Sequence, residues 1–146
     1  MGSKLNVKQW AIASIAVFVG MSILEYIQHG LIMSSWYMET PRYWRPEEDM
    51  RNLMGWMYLG YAFYAVLFTL IYTKGYEGKP GVGEGIRYGL WMGLFVQLPR
   101  MFIMHAIYPY AAKILVGWLI YGVIESVILG AIVAMIYKKP EQIAAA

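Results

Sequence analysis

Residues 10–33 read WAIASIAVFVGMSILEYIQHGLIM, an apolar run interrupted only by Glu25, Gln28 and His29. It matches the ~20 residues that a helix needs to cross a ~30 Å hydrocarbon core. A strand of a membrane barrel would be shorter and would alternate in polarity, and this run does not alternate. Three further spans follow, at about residues 46–73, 85–108 and 112–138, with their apolar runs at Met54–Tyr72, Ile86–Tyr108 and Ile114–Tyr137; span three is less clean, carrying Arg87, Gln97, Pro99, Arg100 and His105. The expected fold is therefore all-α: a polytopic membrane protein forming a four-transmembrane-helix bundle, one transmembrane domain over residues 1–146.

The composition agrees. Apolar residues make up 60% and charged residues 14%, against about 45–50% and about 25% in soluble globular chains. With 13 Tyr and 6 Trp, the chain is rich in the amphipathic rings that gather at membrane–water interfaces. The net charge of +3 is spread over loops and ends without a basic stripe, so nucleic acid is not an expected partner. The chain has no cysteine, which excludes disulfides, thiolate catalysis and Cys-ligated metal. Lys4 and Lys8 before the first run resemble the start of a signal peptide. The run continues past Glu25 to Met33, however, with no small-residue cleavage site, so it reads as a retained helix.

Lys and Arg in the short connections set the orientation. One side carries Lys4, Lys8, Lys74, Lys79, Arg87, Lys138 and Lys139; the other carries Arg42, Arg45, Arg51 and Lys113. Both termini are expected in the cytoplasm. The longest connection, residues 34–53, then lies outside and holds Trp36, Tyr37, Tyr43 and Trp44. Its end, Pro46-Glu47-Glu48-Asp49, reads as a helix start, with proline at a tolerated position and acids facing the positive dipole end. The connection at 74–84 is rich in Gly and Pro and reads as a turn, while that around Pro109 is short enough for a tight helical hairpin.

Spans two and four share a pattern: Gly55-Trp56 with Gly60 matches Gly117-Trp118 with Gly122, and Ile71-Tyr72-Thr73-Lys74 resembles Ile136-Tyr137-Lys138-Lys139. Either the chain is a duplicated helical hairpin, an internal repeat with both halves in one orientation, or aromatic-belt and small-residue chemistry has made two spans alike. Gly81, Gly85, Gly89 and Gly93 recur every fourth residue. Such a glycine zipper lets another helix backbone approach closely, in the same chain or in a second copy. The 11 Met residues read as adaptable packing material.

Ionisable side chains within a span cost several kcal/mol unless paired or hydrated, so each is a candidate for function. Counted inward from Met33 and Tyr108 at the ~1.5 Å helical rise, Glu25 and Arg100 share one depth and His29 and His105 another. Glu25 and His29 also lie at i and i+4, on one helix face. Pro99 would open the backbone beside Arg100. Glu125 stands near the level of Gln97, where a carboxyl needs a proton or a partner such as Gln97, Ser126 or a Tyr hydroxyl. The expected ligand-binding set is Glu25, His29, Gln97, Arg100, His105 and Glu125, lining an outward-facing polar site.

Two bland readings stand beside it: a Glu25–Arg100 ion pair that fixes helix register, and histidines wet at the interface. Paired histidines also allow a b-type haem held by His29 and His105. A metal would need Glu25 as well, and the Glu-x-x-His pattern of di-iron bundles is missing, so no metal site is expected. No GxSxG, Walker, HExxH or Rossmann motif occurs, and no catalytic residue is assigned.

The segments Leu24-Glu25-Tyr26-Ile27-Gln28-His29-Gly30, Trp44-Arg45-Pro46 and Lys74-Gly75-Tyr76-Glu77-Gly78 resemble a loose group of uncharacterised small four-helix bacterial membrane proteins. The resemblance covers most of the chain. It implies a bacterial inner-membrane location and no activity. The leading functional expectation is a non-enzymatic binding or accessory subunit in contact with the lipid bilayer, as a homo-oligomer or within a larger membrane complex. The alternatives are a haem- or small-ligand-binding protein using His29 and His105, and a small transporter.

Overall fold

The computed structural model describes residues 5–138, so Lys4 and Lys139 of the charge argument lie outside the described residues. The described chain is helical, without strands. Helix α1 (Val7–Glu25) runs into a π-helical stretch, Tyr26–Ile32. A short α2 (Ser34–Met38), a 3-10 turn at Pro41–Tyr43 and α3 (Glu47–Asn52) make up the long connection. Then come α4 (Met54–Gly75), α5 (Gly83–Ile107) and α6 (Ala112–Ile136). Four helical stretches are long and apolar enough to cross a membrane: Val7–Ile32, Met54–Gly75, Gly83–Ile107 and Ala112–Ile136.

Local chemistry explains most of these limits. Asn6 caps α1, its side-chain oxygen accepting the Gln9 N–H at 3.2 Å, which starts the helix three residues before the expected Trp10. Span two does not run unbroken from Pro46. Leu53 (φ −98, ψ 1) interrupts it, sharing its N–H between the carbonyls of Asp49 and Met50, a tightened turn typical of helix ends. Glu84 organises the turn before α5. Its two oxygens accept the backbone N–H groups of Glu77 (2.6 Å) and Lys79 (3.1 Å).

Helix α5 packs most closely on α6, and α1 packs on α4 and on α6. The α5–α6 contact is glycine-made. A Cβ on Gly85 would sit 2.1 Å from the Gly130 carbonyl oxygen, and one on Gly89 2.1 Å from that of Ser126. Gly93 lies against Val123 and Ser126 in the same seam. Gly81 takes no part: it sits in the turn at φ +77, with open space where a Cβ would point, because α5 begins only at Gly83.

The packed core occupies the half of the bundle near the chain termini. Val17, Phe68, Tyr72, Leu129, Val133 and Tyr137 are its buried centre. Ser14 Oγ and Thr69 Oγ1 share a 2.7 Å hydrogen bond there, and the Tyr88 hydroxyl donates to the Phe68 carbonyl. All buried residues of α4 lie between Ala65 and Thr73. Its first turns are exposed, and neither Gly55 nor Gly60 has a neighbour within 4 Å of a built Cβ. The helix therefore stands off the bundle at the end of the long connection, and a cavity opens there.

Candidate functional site

The cavity measures about 940 Å³ and lies among α1, its π-helical extension, the 34–53 connection and the start of α4. Glu25, His29, Tyr37, Tyr61 and Trp118 form its polar end; Met50, Met54, Met57 and Tyr58 line its apolar flank; Arg45 and Glu47 lie at the connection. Large apolar cavities with a few convergent polar groups are the usual form of small-ligand sites.

The π-helical stretch carries much of the polar end. Met33 N–H donates to the Gln28 carbonyl at 2.8 Å, an i to i+5 bond. Such widened turns recur at functional sites. Here Glu25 and His29 stay stacked at i and i+4, with His29 Nε2 3.0 Å from Glu25 Oε2. The sequence reading gave a plain α-helix to Met33, and the wide turn is a departure from it.

From His29 a chain of hydrogen bonds runs across the cavity. Its Nδ1 lies 2.5 Å from the Tyr37 hydroxyl, which accepts the Trp118 Nε1–H at 2.8 Å. Indole nitrogen only donates, so the Tyr37 proton is free for another acceptor. The near imidazole nitrogen takes it in preference to Met33 Sδ at 3.6 Å, a weaker acceptor. Nδ1 is then the acceptor, and Nε2–H points at Glu25. The Tyr61 hydroxyl donates to the same Glu25 Oε2 at 3.4 Å. Both contacts converge on one carboxyl oxygen, and among the described residues Oε1 receives no hydrogen bond. Burial pushes the Tyr37 hydroxyl above its ordinary range; the Trp118 N–H opposes this and Glu25 reinforces it.

An aromatic wall backs the chain. Trp44 stacks on Tyr110 with centroids 5.4 Å apart, and meets Tyr37 and Trp118 edge-on at 5.0 and 6.2 Å. An exposed Lys113–Glu39 ion pair ties the start of α6 to the connection.

The sequence-derived residues fall in three places. Glu25 and His29 are in the cavity. Arg100 does not pair with Glu25. It is exposed on α5, its guanidinium 5.3 Å from the Trp118 ring centroid. Matched depth did not bring the two together because α1 and α5 both pack on α6. His105 is exposed on α5 and does not line the cavity. Both His29 nitrogens are engaged within the protein, Nε2 by Glu25 and Nδ1 by Tyr37. The Gln97 amide packs against Gly122, its Nε2 2.3 Å from where a Cβ would be.

Glu125 is 6% exposed, and its Oε1 has no hydrogen-bond partner. Its expected partner Ser126 instead bonds the Gly122 carbonyl (2.8 Å) and the Tyr64 hydroxyl (3.3 Å). Among the described residues no three His, Asp or Glu side chains converge as a metal site would require. Tyr37, Tyr61 and Trp118 are not among the site residues expected from the sequence. Nothing in local spacing ties Tyr61 or Trp118 to Glu25, since they come from α4 and α6.

Comparisons with family models, with curated proteins and with solved structures find no match to this chain.

Proposed function

We propose that this chain is a non-enzymatic small-ligand-binding protein of the bacterial inner membrane, with both termini cytoplasmic and its cavity open toward the outer face. The observation that carries the reading is the cavity of about 940 Å³, ended by Glu25 with His29 and Tyr61 on one of its oxygens. Preorganised polar groups at one end of an apolar cleft orient an amphipathic molecule. The orientation is supported by the excess of Lys and Arg on the side of the termini. The α1–α4 and α5–α6 hairpins suit descent from a duplicated unit, the second closed by its glycine seam and the first opened to hold the site.

The test is native mass spectrometry of the protein lifted from its own membrane in polymer discs. A small organic mass is expected on the wild type and missing from Ser22→Trp, which fills the cavity. The natural absence of cysteine allows a second readout, in which a membrane-impermeant maleimide reaches Met54→Cys from the outer side. An empty wild type with an unreactive Met54→Cys would sink the proposal.

A second reading, an accessory subunit of a larger complex or homo-oligomer, draws on Arg100. Its guanidinium is exposed on a spanning helix, where a charge calls for a partner. Co-purification of a partner lost in Arg100→Leu would favour it.

A further inference from the structure

The cavity's own charges and rings indicate what class of ligand it takes, on the reading that it is a ligand site. Its charged lining consists of Glu25, Glu47 and Arg45, with His29. The formal charge count takes histidine as neutral, so His29 adds nothing to it. Arg45 and Glu47 offset each other. One formal negative charge remains, on Glu25, whose Oε1 receives no hydrogen bond among the described residues. The positive Arg100 lies over the Trp118 ring and outside the cavity lining.

The same cavity is lined by the rings of Tyr26, Tyr37, Trp44, Tyr58, Tyr61 and Trp118, and the Tyr61 hydroxyl reaches this carboxylate. Aromatic faces present negative charge, and a carboxylate among them attracts a cation that is weakly hydrated and large. An anion would meet the uncompensated carboxylate, and a strongly hydrated inorganic cation would find few oxygens to replace its water. The methionines of α3 and α4 supply an adaptable surface for an apolar body. We propose that the ligand is an amphipathic organic cation, its charged end against Glu25 and the Tyr37 and Tyr61 rings, its apolar part along Met54 and Met57.

Three probes of similar shape and different charge test this: tetraphenylphosphonium, triphenylphosphine oxide and tetraphenylborate. Each is measured by equilibrium dialysis against the full chain in nanodiscs, with empty discs subtracted. The phosphonium is expected to bind at least roughly tenfold more tightly than the neutral oxide, a gap typical of a desolvated cation over rings beside a carboxylate. Glu25→Gln keeps the shape and should erase the gap while leaving oxide binding in place. Tyr58→Leu, at an exposed position, should narrow the gap about threefold by removing one ring. Equal binding of all three probes, or preference for the borate, overturns the cation assignment and leaves the cavity reading standing. Binding of none overturns both.

Discussion

Tyr37 and His29 form a stacked, hydrogen-bonded pair: ring centroids 5.7 Å apart, planes at 16°, and hydroxyl to Nδ1 at 2.5 Å. The pair joins the long connection to α1 and fixes which imidazole nitrogen faces Glu25. Tyr37→Phe would strand the Trp118 N–H and leave Nδ1 without its partner; both groups are only half-buried, so the loss is that of ordinary hydrogen bonds, about 0.5–1.5 kcal/mol each. The variant should melt earlier. In a His105→Asn background the ¹⁵N shifts of His29 should change from a single Nε2–H tautomer to a mixture. An unaltered tautomer would show that Tyr37 does not set it.

The glycine seam makes a contrasting pair of predictions. Gly89→Ala drives a methyl to within 2.1 Å of the Ser126 carbonyl oxygen, and that neighbour is backbone. Overpacking of this kind costs about 1–3 kcal/mol or more, so α5 and α6 should part and the variant should unfold at lower denaturant. Gly60→Ala places its methyl in open space and should be neutral or slightly stabilising, since alanine favours helix. Equal effects at the two positions would mean that the seam does not hold the helices.

Much of this architecture can be read from hydropathy and small-residue spacing. The four spans follow from long apolar runs with few polar interruptions, and Gly85, Gly89 and Gly93 are identified by a period of four that only one helix face satisfies. Gly81 obeys the same period and still lies in the turn, because periodicity does not say where a helix begins. The site is half legible. Glu25 and His29 lie four residues apart and so share a face whatever the tertiary fold. Arg100 and His105 lie at matching depths on another helix, but depth fixes one coordinate of three. Which helices touch was decided by α6, the most apolar of the four, taking the centre. Tyr61 and Trp118 reach the site through that arrangement, and local sequence holds no trace of it.

Glu84 gives a prediction at the far end of the molecule. Its carboxylate receives the N–H groups of Glu77 and Lys79, holding the 74–82 turn against the start of α5. Hydrogen bonds to a charged group contribute roughly 1.5–3 kcal/mol each at most. Glu84→Ala should loosen the turn, and a glutamate-specific protease should cut after Glu77, which Gly78 follows, several times faster than in the wild type. Glu84→Gln, which keeps one acceptor oxygen, should fall between the two. Cleavage at the wild-type rate in both variants would show the turn to be held by other means.

Alkaline pH tests the burial of Tyr37 separately from its geometry. The phenol ionises above the ordinary value of 10.0 in the folded chain, chiefly because burial disfavours the phenolate. In the unfolded chain it ionises at its ordinary value. A group raised in the folded state contributes its full stability below the unfolded value and loses it as pH rises through the folded one. The stability gap between wild type and Tyr37→Phe should therefore be flat below about pH 9 and shrink above about pH 10. The other tyrosines are common to both proteins and largely cancel in the difference. The measurement is denaturant unfolding of the two chains in the same detergent, followed by the phenolate band in the ultraviolet. A gap that widens with alkali would mean that the folded chain stabilises the phenolate, and that Tyr37 is not the neutral donor on which the His29 tautomer depends.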